Sequence, residues 1–195
     1  MSADLIVRLI FWFWFAGAAA AGHFLLLQRV TPVAISALAL ALAGLLLSAY
    51  FRIRPLRAWV DGLDLRSLVL VHVTRFVGIY FLALYQRGEL PRDFAVSGGM
   101  SDIIVATGAL VVAFAPLKTS SRRRAIVIWN VFGLIAVLVS LFNITRLNLS
   151  DPTALSSLTH LPLSFLPTML VPLLLTTHVI IFVRTAQNDL PEPRS

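Results

Sequence analysis

The sequence predicts an all-α, polytopic membrane protein: one bundle of six transmembrane helices formed by residues 1–195. Hydrophobic residues make up 58% of the chain and charged residues only 13%, against about 25% charged in soluble domains. The mean hydropathy is +0.88. The apolar runs are about 20 residues long, which is enough to cross a hydrocarbon layer of roughly 30 Å. The surroundings of this chain are therefore expected to be lipid.

Six apolar runs define the predicted spans, at residues 5–27, 33–51, 67–85, 102–117, 125–143 and 161–183. The first run has a signal-peptide-like order of aromatic and then small residues. However, Asp4 precedes it and its apolar character continues to Leu27, which favours an uncleaved anchor. Pro91 and the Gly98-Gly99 turn signal predict an ordered lid over 86–101, with Ser101 and Asp102 capping the fourth helix. The segment 144–160 is expected to contain a short interfacial helix.

Basic residues lie unequally on the two sides of these spans. Eleven fall on one side, namely Arg8, Arg52, Arg54, Arg57, Arg66, Lys118, Arg122, Arg123, Arg124, Arg184 and Arg194, and four on the other, namely Arg29, Arg87, Arg92 and Arg146. By the positive-inside rule both termini are cytoplasmic, with loops 28–32, 86–101 and 144–160 outside. The predicted location is the cytoplasmic (inner) membrane of a bacterium.

Composition excludes several function classes. The chain has no cysteine, so thiolate metal sites, cysteine nucleophiles and covalently attached haem are ruled out. The net charge of +7 resides at the ends of apolar runs, with no aromatic and basic interleaving, so nucleic acid is not an expected partner. No hydrolase, nucleotide-binding or zinc-protease motif is present. Whether the protein is an enzyme is left open by the sequence.

Arg75 is the most informative residue, because it places a permanent charge inside an apolar run. Such a charge costs roughly 2.5 to 3.5 kcal/mol on insertion scales, and it marks a candidate functional site. His72 lies three residues before it, on the same helix face. At 1.5 Å per residue, His178 of the sixth span reaches a similar depth. Asn130 and Thr177 complete the predicted polar layer.

The counterion of Arg75 is the open question of the sequence. All nine carboxylates lie in predicted loops, termini or a helix mouth, so none is expected beside it. Either the side chain reaches the cytoplasmic headgroups or Asp64, or it binds an anionic ligand group such as a propionate, carboxylate, phosphate or quinone oxygen. Caging by carbonyls at a helix terminus is a third possibility.

The two intramembrane histidines have two possible roles. His72 and His178 either bond to backbone and threonine groups within the bundle, or they bind the iron of a b-type haem from two sides, with Arg75 on a propionate. A zinc or copper site is disfavoured, since only two nitrogens are available. Secondary candidates at the outer face are Asp102, Glu89, His160 and His23, for which solvation at the interface is the alternative.

Four motifs are typical of a known family. They are His72-x-x-Arg75-x-x-Gly78, then Gly88-x-Leu90-Pro91-x-x-Phe94-Ala95 with Gly98-Gly99-x-x-Asp102, and Pro167-x-x-x-x-Pro172 leading to His178. With them the chain resembles an uncharacterised family of small bacterial multi-pass membrane proteins. The resemblance covers the third, fourth and sixth spans. It implies a bacterial membrane location and no particular activity.

These observations predict an inner-membrane protein with an intramembrane His/Arg site. The site is expected to bind a small anionic ligand or a cofactor whose identity the sequence leaves open, with haem b as one possibility. One alternative is a small-molecule or proton-coupled transporter that holds its substrate with Arg75. The other is an accessory subunit of a larger membrane complex, in which Arg75 meets a carboxylate of another chain. The expected partners are the lipid bilayer and a second copy or complex subunit.

Overall fold

The computed structural model describes residues 3–116, 118–151 and 153–187, and it is all-α over these ranges. Eight α-helices follow one another along the chain. They are α1 (Ala3–His23), α2 (Pro32–Arg52), α3 (Arg54–Asp61), α4 (Leu65–Leu70), α5 (Val77–Gln86), α6 (Arg92–Phe114), α7 (Thr119–Ser150) and α8 (Val171–Gln187). A 3₁₀ segment, Val71–Phe76, joins α4 to α5, and a π-helical turn, Leu166–Leu170, leads into α8.

Six stretches of these helices are long and apolar enough to cross a membrane. They are Asp4–His23, Val33–Arg52, Leu65–Gln86, Arg92–Phe114, Ser121–Ser150 and Leu166–Gln187. The predicted number of spans is therefore confirmed. Such a set of helices is that of a multi-pass membrane protein.

The fourth span differs most from the sequence prediction. Helix α6 begins at Arg92, directly after Pro91 in extended conformation, and not at Asp102. The predicted lid over 86–101 is thus wrong: residues from Arg92 onward are helical, and only a short connection precedes them. Proline suits the start of a helix because it has no N–H group, and the N–H groups at the start of a helix have no acceptor within the helix. Asp102 consequently lies midway along the span and does not cap it.

The fifth span is also longer than predicted. Helix α7 extends to Ser150, well beyond the predicted end at residue 143. In the following connection the structure shows a 3₁₀ turn, Ser156–Thr159. Asp151 accepts hydrogen bonds from the Thr153 backbone N–H at 2.9 Å and hydroxyl at 2.7 Å. These bonds hold the pKa of the exposed Asp151 carboxyl below its usual value.

The interior of this bundle holds a set of buried polar side chains among a larger number of buried apolar ones. His72, Asn130 and His178 are 0% exposed and Arg75 is 1% exposed, whereas Phe13 is 76% exposed. Large apolar side chains cover the outside of most helices, as lipid contact requires, and the buried interior holds the polar groups. Helix α8 packs against α2, α4 and α7 and is the most enclosed of the six spans.

Candidate functional site

Two glycines set the position of the site where α5 crosses α6. A Cβ on Gly78 would come within 2.4 Å of the Gly99 carbonyl oxygen, and one on Gly99 within 2.8 Å of the Gly78 carbonyl oxygen. Only glycine allows backbones so close together. Arg75 precedes Gly78 by three residues and Asp102 follows Gly99 by three. The crossing therefore brings these two side chains to the same level.

Arg75 is paired with Asp102, which corrects the expectation that no carboxylate lies beside it. Its Nε donates to Asp102 Oδ1 at 2.8 Å, and its Nη2 lies 2.7 Å from the same oxygen. Nη1 donates to the Gly133 carbonyl of α7 at 2.9 Å. The side chain reaches neither the headgroups nor Asp64, because it is buried midway along its span. A buried arginine with a carboxylate and a carbonyl is locally neutral.

One edge of the guanidinium still lacks a well-placed acceptor. Although Nη2 of Arg75 is in ion-pair distance of Asp102, none of its N–H groups meets an acceptor with hydrogen-bond geometry. The Asp102 side chain is 15% exposed. This end of the site thus retains both a donor and an accessible carboxylate.

His178 is held in one orientation by Asn130. Asn130 Nδ2 donates to the His178 carbonyl at 3.0 Å, so its Oδ1 faces the imidazole, 2.7 Å from Nδ1. An amide oxygen only accepts hydrogen bonds, and His178 Nδ1 must therefore carry a proton. The opposite nitrogen, Nε2, is buried without a partner.

His72 is fixed in a similar manner by Thr177. The Thr177 hydroxyl donates to the carbonyls of Leu173 and Leu174, at 2.9 and 3.0 Å, and its oxygen lies 3.1 Å from His72 Nε2. The other ring nitrogen of His72, Nδ1, is buried with no hydrogen-bond partner. Each histidine thus has one satisfied nitrogen and one free nitrogen.

The two imidazoles form a compact aromatic cluster with Trp129. The ring centroids of His72 and His178 are 4.2 Å apart at 46°, and Trp129 packs edge-on against His72 at 5.0 Å. The Trp129 indole N–H donates to the Val105 carbonyl at 2.9 Å. Four elements, the 3₁₀ segment, α6, α7 and α8, therefore hold this cluster together.

This arrangement does not fit bis-histidine ligation of haem. Each ligating nitrogen stands about 2 Å from a bound metal, and the porphyrin plane occupies the space between the rings. The separation of 4.2 Å between centroids leaves no such space. Among the described residues, no group of three or more His, Asp or Glu side chains is placed to hold a metal ion.

Gly133 links the two halves of the site. Its carbonyl accepts from Arg75, as described above, while a Cβ at this position would lie 2.6 Å from Cε1 of His178. The absence of a side chain lets the imidazole lie directly on the α7 backbone. Arg75 and His178 thus share one residue of α7 as a common support.

A narrow cavity opens beside the ion pair. Its volume is about 60 Å³, which is room for a few groups the size of a water molecule. Arg75 and Asp102 line one part, and the remaining wall is mainly apolar, contributed by residues such as Phe81, Val137 and Leu174. Ser36 and Ser140 are further polar lining residues. Such a space accepts a small molecule that is polar at one end.

The secondary candidates from the sequence do not gather around Asp102. His160 Nε2 lies 2.9 Å from Gln28 Nε2, and His23 stacks edge-on against Phe24. Glu89 is exposed and contributes its carbonyl as acceptor to Ser157. Asp102 alone belongs to the buried site.

Sequence reasoning missed three contributors: Asp102 as the counterion, Gly133 as the shared support and Trp129 as the ring partner. The sequence did contain a signal for Asp102. Arg75 lies three residues before Gly78, and Asp102 lies three residues after Gly99, which gives a symmetric arrangement. If two antiparallel helices cross at these glycines, the two charged side chains lie at the same level. Placing the start of α6 ten residues too late concealed this symmetry. No comparable signal marks Gly133 or Trp129.

The whole site lies within the part of the chain that matches a known family. The family profile, described as "Domain of unknown function (DUF8737)", covers residues 31–186. This chain belongs to that family. No curated protein and no solved structure matches it. The predicted resemblance to an uncharacterised family is thereby confirmed, and the family itself carries no activity to transfer.

Proposed function

We propose that this family member is a multi-pass protein of the bacterial inner membrane that binds a small ligand beside the Arg75–Asp102 pair. The observation that carries the proposal is the cavity, which meets the buried ion pair on one side and apolar side chains elsewhere. Intramembrane ionisable residues typically mark substrate or ion pathways. The excess of basic residues on one side supports cytoplasmic termini.

The chemistry of the ligand follows from the neutral pair. Asp102 already balances Arg75, so a free anion would compete with a carboxylate that is held at 2.7 Å. A molecule with a carbonyl or carboxylic acid group suits the site better, because it adds no charge to the neutral pair. Its remainder must be short and apolar to fit the cavity.

The test uses purified protein freed of lipid in detergent, with two small neutral carbonyl compounds, butanone and propanamide, as probes. A bound ligand at 100 times its dissociation constant stabilises the folded state by about 2.7 kcal/mol, so we expect one of them to raise the unfolding temperature. A Gly98→Leu variant should abolish the shift, because Gly98 lines the cavity and has only ordinary contacts around its Cβ position.

Gly44→Leu is the matched control, since a Cβ at Gly44 meets nothing within 4 Å. It should respond to the probe as the unmodified protein does. Equal shifts in both leucine variants would show that the probes bind elsewhere. No shift in the unmodified protein with either probe would count against this ligand class.

Proton-coupled transport is the second candidate, and the histidine pair favours it. His72 Nδ1 and His178 Nε2 are buried ring nitrogens without hydrogen-bond partners, and Gly133 lies against His178 while it accepts from the Arg75 that is paired with Asp102. These are the components of an intramembrane proton relay. Proteoliposomes with an internal pH dye, under an inside-negative potassium diffusion potential, should acidify at a rate that falls in a His178→Gln variant. An unchanged rate would remove the histidines from such a path.

The accessory-subunit hypothesis loses its main support. It required Arg75 to seek a carboxylate on another chain, and that carboxylate is Asp102 of the same chain.

A further inference from the structure

A second, open groove lies between α7 and α8 at the end of the bundle where α7 begins. It has a volume of about 630 Å³. Arg123, Arg124 and Thr185 line its rim, and Val127, Ile128 and Phe182 line its deeper part. The groove shares no lining residue with the cavity beside Arg75, and the inference below is independent of the proposed function.

The lining changes from charged to apolar along the two helices. Arg123 and Val127 are four residues apart on α7, as are Arg124 and Ile128, so each arginine lies one helical turn above an apolar side chain. On α8, Thr185 lies similarly above Phe182. The groove is therefore amphipathic along its length, with its cationic end at the edge of the span.

The arginines of this region are directed to different neighbours. Arg122 turns toward α6 and donates from Nη2 to the Ala115 carbonyl at 3.1 Å. Arg123 donates from Nη2 to the carbonyl of Thr185, across the groove. Among the lining residues of the described part of the structure there is no Asp or Glu, and two are arginines.

We propose that this groove binds an anionic phospholipid of the surrounding bilayer. Its phosphodiester would lie at Arg123 and Arg124, because planar guanidinium groups match phosphate oxygens with paired donors. One acyl chain would follow the apolar wall past Ile128, which is 70% exposed to the lipid side. A water-soluble anion would contact only the arginines at the rim, and the apolar side chains of the groove would remain uncovered. Basic pockets between transmembrane helices are typical headgroup sites.

The experiment measures lipid retention by native mass spectrometry. The full-length protein is released from nanodiscs that contain equal amounts of phosphatidylglycerol and phosphatidylcholine. We expect a dominant 1:1 adduct with phosphatidylglycerol. Each surface arginine contributes about 1 kcal/mol to anionic lipid binding, or roughly fivefold. The double variant Arg123→Gln/Arg124→Gln should therefore lower the adduct about 25-fold.

Two controls separate the site from general charge. Arg87→Gln/Arg92→Gln removes two exposed arginines from the opposite end of the bundle and should leave the adduct unchanged. Ile128→Trp obstructs the apolar part without changing charge and should lower it severalfold. Equal losses in both arginine pairs, or a normal adduct in the groove variants, would overturn the proposal. So would complete displacement by 10 mM inorganic phosphate, which would identify the rim as a site for free anions.

Discussion

The central residue pair of this protein is an arginine and an aspartate buried midway across a membrane-spanning bundle. Each charge alone would be costly to insert, and the two are tolerable because they are in direct contact. In such a pair the desolvation of both groups roughly offsets their attraction. We therefore interpret it as a feature retained for a role at the cavity, and not as a device for stability.

Removing one member of the pair should reveal this balance. An Asp102→Asn variant leaves the Arg75 charge buried without compensation, which typically costs about 3–5 kcal/mol. Denaturant unfolding in detergent micelles measures the loss. Replacement of both, as in Arg75→Met/Asp102→Leu, should recover most of it.

The matched control is Asp93→Asn on the same helix. Asp93 forms an exposed pair with Arg146 at 3.7 Å, and exposed pairs contribute at most about 1 kcal/mol. If Asp102→Asn destabilised the protein no more than Asp93→Asn, the buried pair would not exist in the folded protein.

At this scale the sequence located the buried cation but not its partner. Charge in an apolar run identifies Arg75 without any structure, and helical spacing associates it with His72. The side chains that complete the site come from other helices, so their distances depend on where each helix begins. A ten-residue error at the start of α6 was sufficient to move Asp102 from the bundle centre to its surface.

At the scale of elements, the crossing of α5 and α6 is the most demanding contact. A methyl group on Gly78 or Gly99 would clash with the facing backbone carbonyl, and backbone cannot give way as a flexible side chain can. The two helices must separate, and the Arg75–Asp102 contact lengthens with them.

We expect Gly78→Ala and Gly99→Ala to destabilise the protein by about 1–3 kcal/mol or more, as overpacking does. Gly17→Ala, in open space on α1, should instead be neutral or stabilising by up to about 1 kcal/mol, since alanine is the better helix former. Unfolding temperatures of the three variants provide the test. A mild effect at Gly78 would mean that the helices do not touch there.

Two irregular turns also belong to this scale. His72 and Arg75 lie in the 3₁₀ segment Val71–Phe76, where residues three apart eclipse one another and so face the same neighbours. The π-helical turn before α8 contains Pro167, which lacks the N–H that a regular α-helix would use. Proline in the sequence indicates such an irregular turn, whereas the 3₁₀ segment contains no proline or glycine and could not be predicted.

At the scale of the whole molecule, the number of spans followed directly from apolar run length. Their ends did not, because charged and small residues such as Arg92 and Gly98 continue a helix that hydropathy alone would terminate. Labelling of single cysteines checks the topology, since the natural chain has none.

With both termini cytoplasmic, a Glu89→Cys variant should react with a membrane-impermeant maleimide in intact cells. An Ala58→Cys variant, on the exposed face of α3, should react only after permeabilisation. The reverse pattern would invert the proposed orientation while leaving the fold unchanged.

The most direct test of the account is the mass of the protein released intact from its own membrane. Native mass spectrometry should show a small bound molecule on the unmodified chain and on Gly44→Leu, and none on Gly98→Leu. A folded, unmodified protein that carries no such molecule, or a Gly98→Leu variant that retains it, would contradict a ligand site at the Arg75–Asp102 pair.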